Sequence, residues 1–447
     1  MKVRLLQRNV VRHLWDRLET SFWFTPLLMA VGAVLLAFAV YWIDRRVPNE
    51  ILQSTPLIVS GSVAELRGFL VTMATTALAT AGVVFTLLTL PLSTVAAQYG
   101  SRLLRVFQGD RITQLVLGMF VGTFVYCTTA LTLIPPADLQ PAAPQITATI
   151  GFLLFLGTFA SLILLVQHFS TMLQAPNVAA VAGAELLEAV REDVRAEIGG
   201  GTRRGPCGEA TIPLTNDTGH RVRMRGSGYI TYIAVEPILE LARERDLVIR
   251  LLLKPGHFAS FGAVAALVWP ARGIDAPSEK QILNAINLGN QRTPTQDVEY
   301  AFNQLAEMAV RAMSPAINDP FTAMTCLDYM GEGLAVFARE REECPHILDE
   351  AGSLRIVADP VTFAQALNAA FDMLRHAGNN NAAVLLHMLD VIEGIDREAG
   401  SPAVREHLTH QVSLIEAECR AGSLIEEDRE TIGRRAHTLK AGLQGTP

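Results

Sequence analysis

At 447 residues the chain has room for two or three domains, and 50% hydrophobic content with a mean hydropathy of +0.28 points to a membrane protein carrying a soluble portion. Residues 1–175 hold 11 Lys and Arg against 7 Asp and Glu, and the remainder holds 26 against 37, so the acidic second half argues against nucleic acid as a partner. Cys127, Cys207, Cys326, Cys344 and Cys419 form no close pair and read as free thiols in a reducing compartment, not as a disulfide framework.

The first apolar run, residues 22–43, follows Lys2, Arg4, Arg8, Arg12 and Arg17. It is too long for a cleavable signal peptide and lacks a small-residue cleavage site. Further apolar runs cover residues 68–98, 112–134 and 147–173. Each reaches the ~20 residues that a helix needs to cross the hydrocarbon core. Arg102, Arg105 and Arg111 lie between the second and third runs, whereas the segment between the third and fourth has no Lys or Arg. Arg45, Arg46 and Arg67 are a contrary signal, but the balance places both termini in the cytoplasm. Trp23, Tyr41 and Trp42 mark the two ends of the first span, where aromatic belts are expected.

The second span carries an unusual pattern. At about 100° per residue, Gly68, Thr72, Thr75, Ala79, Gly82, Thr86, Ser93 and Ala97 share one side, and Leu70, Val84, Phe85, Leu88 and Leu92 fall on the other. Small and hydroxyl residues let backbones approach closely or let water touch the helix. Val83 and Leu90 share that side and are large enough to close a narrow passage. Pro91 removes one helical amide, so a kink is expected there. An amphipathic piece, residues 101–108, follows, and in an oligomer its Arg102 and Arg105 would ring an inner mouth; alternatively they snorkel at the headgroup boundary. In the third span, Gly118 and Gly122 have small-xxx-small spacing beside Gln114, Thr123, Tyr126, Thr128 and Thr129, which suggests that the second and third spans pack tightly around an axis.

Beyond the spans, residues 178–198 read as an amphipathic helix with an acidic face, and residues 199–205 as a glycine-rich linker. Strand-like runs begin at Tyr229, Leu247 and Ala263, with a helix expected over 236–244 and a Pro255-Gly256 turn. From residue 278 the chain reads as helical. Ser278 with Gln281 and Thr293 with Gln296 fit capping boxes. Pro294, Pro320, Pro360 and Pro402 suit the first helical position. The expected fold is a mainly α membrane protein: four transmembrane helices (1–175), an amphipathic helix and linker (176–225), a small α+β unit (226–275) and a cytoplasmic helical layer (276–447).

No phosphate loop, zinc pattern or nucleophile elbow is present, so no catalytic residue, metal or cofactor is expected. His407 and His410 lack a third ligand at suitable spacing and read as solvated surface. The segment Ser314-Pro-Ala-Ile-Asn-Asp-Pro320 reads as a joint in which Asp319 caps the helix that Pro320 begins. A sharper alternative has Arg311, Asn318 and Asp319 converging on a ligand.

The runs Phe85–Leu90, Gln98–Arg105 and Asp110–Gln114, with Gly226–Ile230, Lys254–Phe258 and Ala312–Pro320, resemble a bacterial family of predicted membrane proteins of unknown function. The resemblance covers most of the chain. It implies a bacterial inner-membrane protein with a cytoplasmic domain and supplies no activity or site residues. His257 stands where an acidic residue is expected in relatives, which weakens a metal reading of that turn. The leading expectation is a homo-oligomeric channel for ions or small solutes, lined by Thr72, Thr75, Ala79, Gly82, Val83, Thr86, Leu90 and Ser93. Its partners would be the bilayer and further copies of itself, without nucleic acid. The alternative is a non-conducting sensor or scaffold that recruits a cytoplasmic partner; an enzyme ranks last.

Overall fold

The structure, a computed structural model, describes residues 23–47, 58–98, 110–135, 144–172, 174–199, 219–271, 274–340, 344–399 and 401–445. For Leu88 and residues 90–98 the description covers the helical backbone alone. The chain divides into two compact units, Met1–Asn177 and Val178–Pro447.

The first unit contains α1 (Phe24–Asp44), α2 (Val63–Gln98), α3 (Arg111–Leu133) and α4 (Gln145–Met172). All four are long and apolar enough to cross a membrane, and they match the expected spans within a few residues. The helix α2 starts earlier than expected and continues through Pro91, so its 36 residues extend ~54 Å, well beyond a ~30 Å hydrocarbon core. The core is formed by Ala37, Leu70, Met73, Tyr126, Cys127 and Ala130. The glycine pair of α3 serves contacts inside the protomer. A Cβ at Gly118 would lie 3.4 Å from the Pro26 Cα, and one at Gly122 3.9 Å from the Ala33 Cβ. Gly118 and Gly122 therefore admit α1, and the expected close packing of α3 on α2 through them is not what they provide.

Polar side chains fasten one end of this bundle. Asp44, buried at the end of α1, accepts from Thr147 N at 3.0 Å, Thr147 Oγ1 at 2.8 Å and Ile146 N at 3.3 Å, and so caps α4. Arg67 donates to the Ile134 and Leu131 carbonyls at the end of α3, and Tyr126 donates to Thr147 O at 3.0 Å. Arg46 and Arg45 stack over Trp42 and Tyr41, at 3.7 and 5.7 Å from the ring centroids. The three arginines that count against the charge-based orientation thus have local tasks. Asp44→Ala strands buried amides and should cost roughly 1–3 kcal/mol. The readout is a lower unfolding midpoint for the detergent-purified full-length protein, with a smaller loss in Asp44→Asn, which keeps one acceptor. An unchanged midpoint in Asp44→Ala would remove the cap from this account.

The second unit starts within α5 (Ala175–Gly199), which buries Val178, Ala179, Ala182, Leu186, Ala189 and Val190. The α+β part comprises β1 (His220–Arg223), β2 (Gly228–Ile233), α6 (Val235–Glu244), β3 (Val248–Leu251), β4 (Phe258–Ala259), β5 (Val264–Trp269), α7 (Ala276–Asn284) and β6 (Ile286–Gly289). The helical layer holds α8 (Val298–Ala312), α9 (Pro320–Glu340), α10 (Phe363–Ala377), α11 (Ala382–Ala399), α12 (Pro402–Ala421) and α13 (Glu426–Gln444), with β7 (His346–Leu348) and β8 (Leu354–Ala358) inserted after α9. One sheet runs β1-β5-β3-β8-β7, with β3 and β8 parallel and its other pairs antiparallel; an antiparallel second sheet runs β4-β2-β6. Both sheets share a core with α6 and α7 through Val222, Ile230, Ile249, Val268, Ile282 and Ile356.

The reading of everything after residue 278 as helical is therefore corrected. Strands β6, β7 and β8 have 4, 3 and 5 residues and return to sheets whose other strands lie earlier in the chain. Two capping boxes are corrected as well. Asp275 caps α7 by accepting from Ser278 N, and Asp297 caps α8 by accepting from Tyr300 N. Gln296 bonds the backbone of Ile233 instead. Pro320 and Pro402 begin helices as expected, but Pro294 lies in a turn and Pro360 precedes α10, where Thr362 and Gln365 form the box. Asn381 caps α11 by accepting from Val384 N at 3.2 Å. Cys127, Cys326, Cys344 and Cys419 are buried and form no disulfide among the described residues; Cys207 lies outside the described residues.

Candidate functional site: the open face of the second helix

Helix α2 buries Leu66, Leu70, Met73, Ala77 and Val84. At about 100° per residue these occupy an arc directly opposite Gly68, Thr72, Thr75, Ala79, Gly82 and Thr86. The opposite arc, Val83 included, is exposed. A Cβ built at Gly68 or Gly82 would meet nothing within 4 Å, so none of the described residues covers the face at those two points. Val71, Leu78 and Phe85 border it on one side and Leu87 on the other, all exposed. The result is a shallow furrow of small residues between large apolar rims. Phe85 departs from the expectation that it opposes the stripe; it forms a rim and is 57% exposed.

The hydroxyls of the furrow are satisfied by their own helix. Thr72 donates to Gly68 O at 2.9 Å, Thr75 to Val71 O at 2.9 Å and Thr86 to Gly82 O at 3.1 Å. Back-bonding of this kind lets threonine sit in an apolar medium without a stranded donor. It leaves both lone pairs of the oxygen available as acceptors that water or a neighbouring helix can use.

Of the expected pore-lining set, Thr72, Thr75, Ala79, Gly82, Val83 and Thr86 lie on this face, with Val83 58% exposed. The side chains of Leu90, Pro91 and Ser93 lie outside the described residues, as do Arg102 and Arg105 in full. The polar residues of α3 have tasks inside the protomer. Gln114 accepts from Thr25 Oγ1 at 2.7 Å, Thr123 and Tyr126 are buried, and Thr128 donates to the Phe124 carbonyl. His168 of α4 lies 3.1 Å from the Asp110 carboxylate that caps α3, out of line for a hydrogen bond.

The second unit contributes two built junctions. At the α8–α9 joint, Asp319 accepts from Thr322 N at 3.1 Å and Thr322 Oγ1 at 2.5 Å, and its own amide donates to Ala312 O. Arg311 pairs with Glu307 at 3.0 Å, and Asn318 is exposed with a φ of +50°. These contacts are those of a helix joint. The other junction went unread in the sequence. Asp297, nearly fully buried, receives Arg292 at 2.7 and 2.8 Å, and Arg292 lies 5.3 Å from the centroid of the Tyr300 ring. The Lys254–Phe258 turn presses against this carboxylate through Gly256. His257, in the same turn, is held below the usual histidine range by burial first and by the nearby Lys254 charge second. Among the described residues, no group of three or more His, Cys, Asp or Glu is arranged to hold a metal ion.

Residues 19–394 match the family described as "Predicted membrane protein (DUF2254)". The uncharacterized protein Rv1290c of Mycobacterium tuberculosis is 27% identical over 433 residues, which cover 93% of this chain and 80% of that protein. The uncharacterized protein Mb1321c of Mycobacterium bovis is similar to the same extent. No solved structure matches the chain.

Proposed function

We propose that this chain, which belongs to the DUF2254 family of predicted membrane proteins, assembles into a homo-oligomeric channel for ions or small solutes with α2 around its axis. It is a membrane protein with four apolar helices. The observation that supports the channel is the small-residue furrow of α2, left uncovered by the described residues and opposite the buried face. A helix that met lipid alone would have no reason to gather Gly68, Thr72, Thr75, Ala79, Gly82 and Thr86 on one arc. Val83 and, by helical spacing, Leu90 would form an apolar constriction that gates by dewetting. The charge distribution around the spans supports both termini and the second unit lying in the cytoplasm, and the family resemblance supports a bacterial inner membrane. This reading assigns the chain no enzymatic reaction.

A second reading, a non-conducting sensor or scaffold, is favoured by the threonine back-bonds, which leave no hydroxyl donor in need of water. Cysteine placed along α2 tests the assembly common to both readings. With α2 at the subunit contact, Ala79→Cys and Gly82→Cys should form interchain disulfides in native membranes, whereas Val71→Cys and Leu78→Cys on the rim should form far fewer. Equal cross-linking at all four positions, or none at any, would show that the furrow is not the contact.

A further inference from the structure

The second unit is acidic as a whole, yet one part of its surface is not. Residues 219–229 and 250–263 contain Arg221, Arg223, Arg225, Arg250 and Lys254 and no Asp or Glu. Arg221, Arg223 and Arg225 alternate with buried Val222 and Met224, so all three are exposed along and just beyond β1, at the edge of its sheet. The backbone joins this edge to the Phe258–Gly262 loop: Met224 N donates to Ala263 O, Gly262 N to Met224 O, and Phe261 N to Ser227 Oγ. Arg223 reaches over and donates to Gly262 O at 2.9 Å. The loop projects two phenylalanines, Phe258 at 56% and Phe261 at 75% exposure. Tyr229 holds Phe258 edge-on, 5.2 Å between centroids. Arg225 is 3.8 Å from Glu279, an acidic neighbour of this edge.

Two protruding aromatic rings beside exposed arginines match an anionic headgroup layer: the rings enter the interface and the guanidinium groups meet phosphate. The same chain tethers this unit to the bilayer. His220 follows Met172 of the last apolar helix by 48 residues, 25 of them in α5. We propose that the Phe258–Gly262 loop with Arg221 and Arg223 is a membrane-docking surface, which seats the second unit on an anionic lipid surface. The acidic remainder of the unit repels the same surface, so the basic edge fixes which side faces the lipid. The proposal does not depend on whether α2 conducts.

A fluorophore placed between the two rings tests it. Ser260 is exposed; in full-length protein carrying Ser260→Cys and Cys207→Ser, bimane is attached at position 260. Nanodiscs contain headgroup-nitroxide lipid in either phosphatidylglycerol–phosphatidylcholine or phosphatidylcholine alone. Docking predicts quenching at least about twofold greater with phosphatidylglycerol, falling as salt shortens the screening length. Arg221→Gln with Arg223→Gln, and separately Phe258→Ser with Phe261→Ser, should bring it down to the phosphatidylcholine level. Equal quenching in both lipids, quenching in neither, or quenching unmoved by both double variants would overturn the proposal; the second outcome would point to a protein partner for the loop.

Discussion

Gly256→Ala is expected to destabilise the second unit by roughly 2–4 kcal/mol, the sum of backbone strain and overpacking. Gly256 has a φ of +87°, where a side chain is strained, and a Cβ there would lie 2.7 Å from the Asp297 Cγ. The carboxylate has no room to withdraw. It caps α8 through Tyr300 N at 3.0 Å and holds Arg292 through both oxygens. Gly262→Ala is the control, because Gly262 has a similar φ of +79° but open space around the added methyl. It should lose only the conformational part, about 1–2 kcal/mol. Thermal unfolding of the two full-length variants separates the terms; equal losses would mean that the Asp297 contact carries no cost.

Gly183→Leu should be similarly damaging, roughly 2–3 kcal/mol. Here α5 crosses α9 so closely that a Cβ on Gly183 would stand 2.9 Å from the Tyr329 Cβ and 2.5 Å from its Cγ. Three residues further along α5, Leu186 fills the space over Gly333. The obstruction lies at the root of the Tyr329 side chain, so ring rotation cannot relieve it. Tyr329→Ala alone should also destabilise, but combined with Gly183→Leu it should recover part of the loss, a coupling that a double-mutant cycle reads directly. Strict additivity would contradict the close crossing.

These two glycines show where the sequence was readable and where it was not. The four spans were legible because an apolar run of ~20 residues has few other uses. The arc of Gly68, Thr72, Thr75, Ala79, Gly82 and Thr86 was legible for a similar reason: helical geometry alone fixes which residues share a side. Strand β2 and helix α6 also emerged from local pattern. Strand β8 did not, because Leu354-Arg-Ile-Val-Ala358 joins the sheet by lying parallel to β3, about a hundred residues earlier, with the three-residue β7 on its other side. The caps followed the same logic. Ser278 and Asp275 are both good cap residues, and the choice of Asp275 depends on where the chain enters α7. Gly118 and Gly122 announced a close helix contact, but their spacing does not identify the partner: the sequence reading sets α2 there, and the partner is α1. Asp44 and Arg67 act across 103 and 67 residues and the Arg292–Asp297 pair across five, and only the folded chain brings out their buried or capping roles.

We propose that α2 lines a pore. Its most direct measurement is current across a planar bilayer holding purified full-length protein, wild type beside Val83→Ser, under voltage and then tension. The account predicts discrete current steps for the wild type, and a leak through Val83→Ser as its apolar constriction becomes polar. Silence from both proteins, in preparations whose oligomers are confirmed by light scattering, would contradict it.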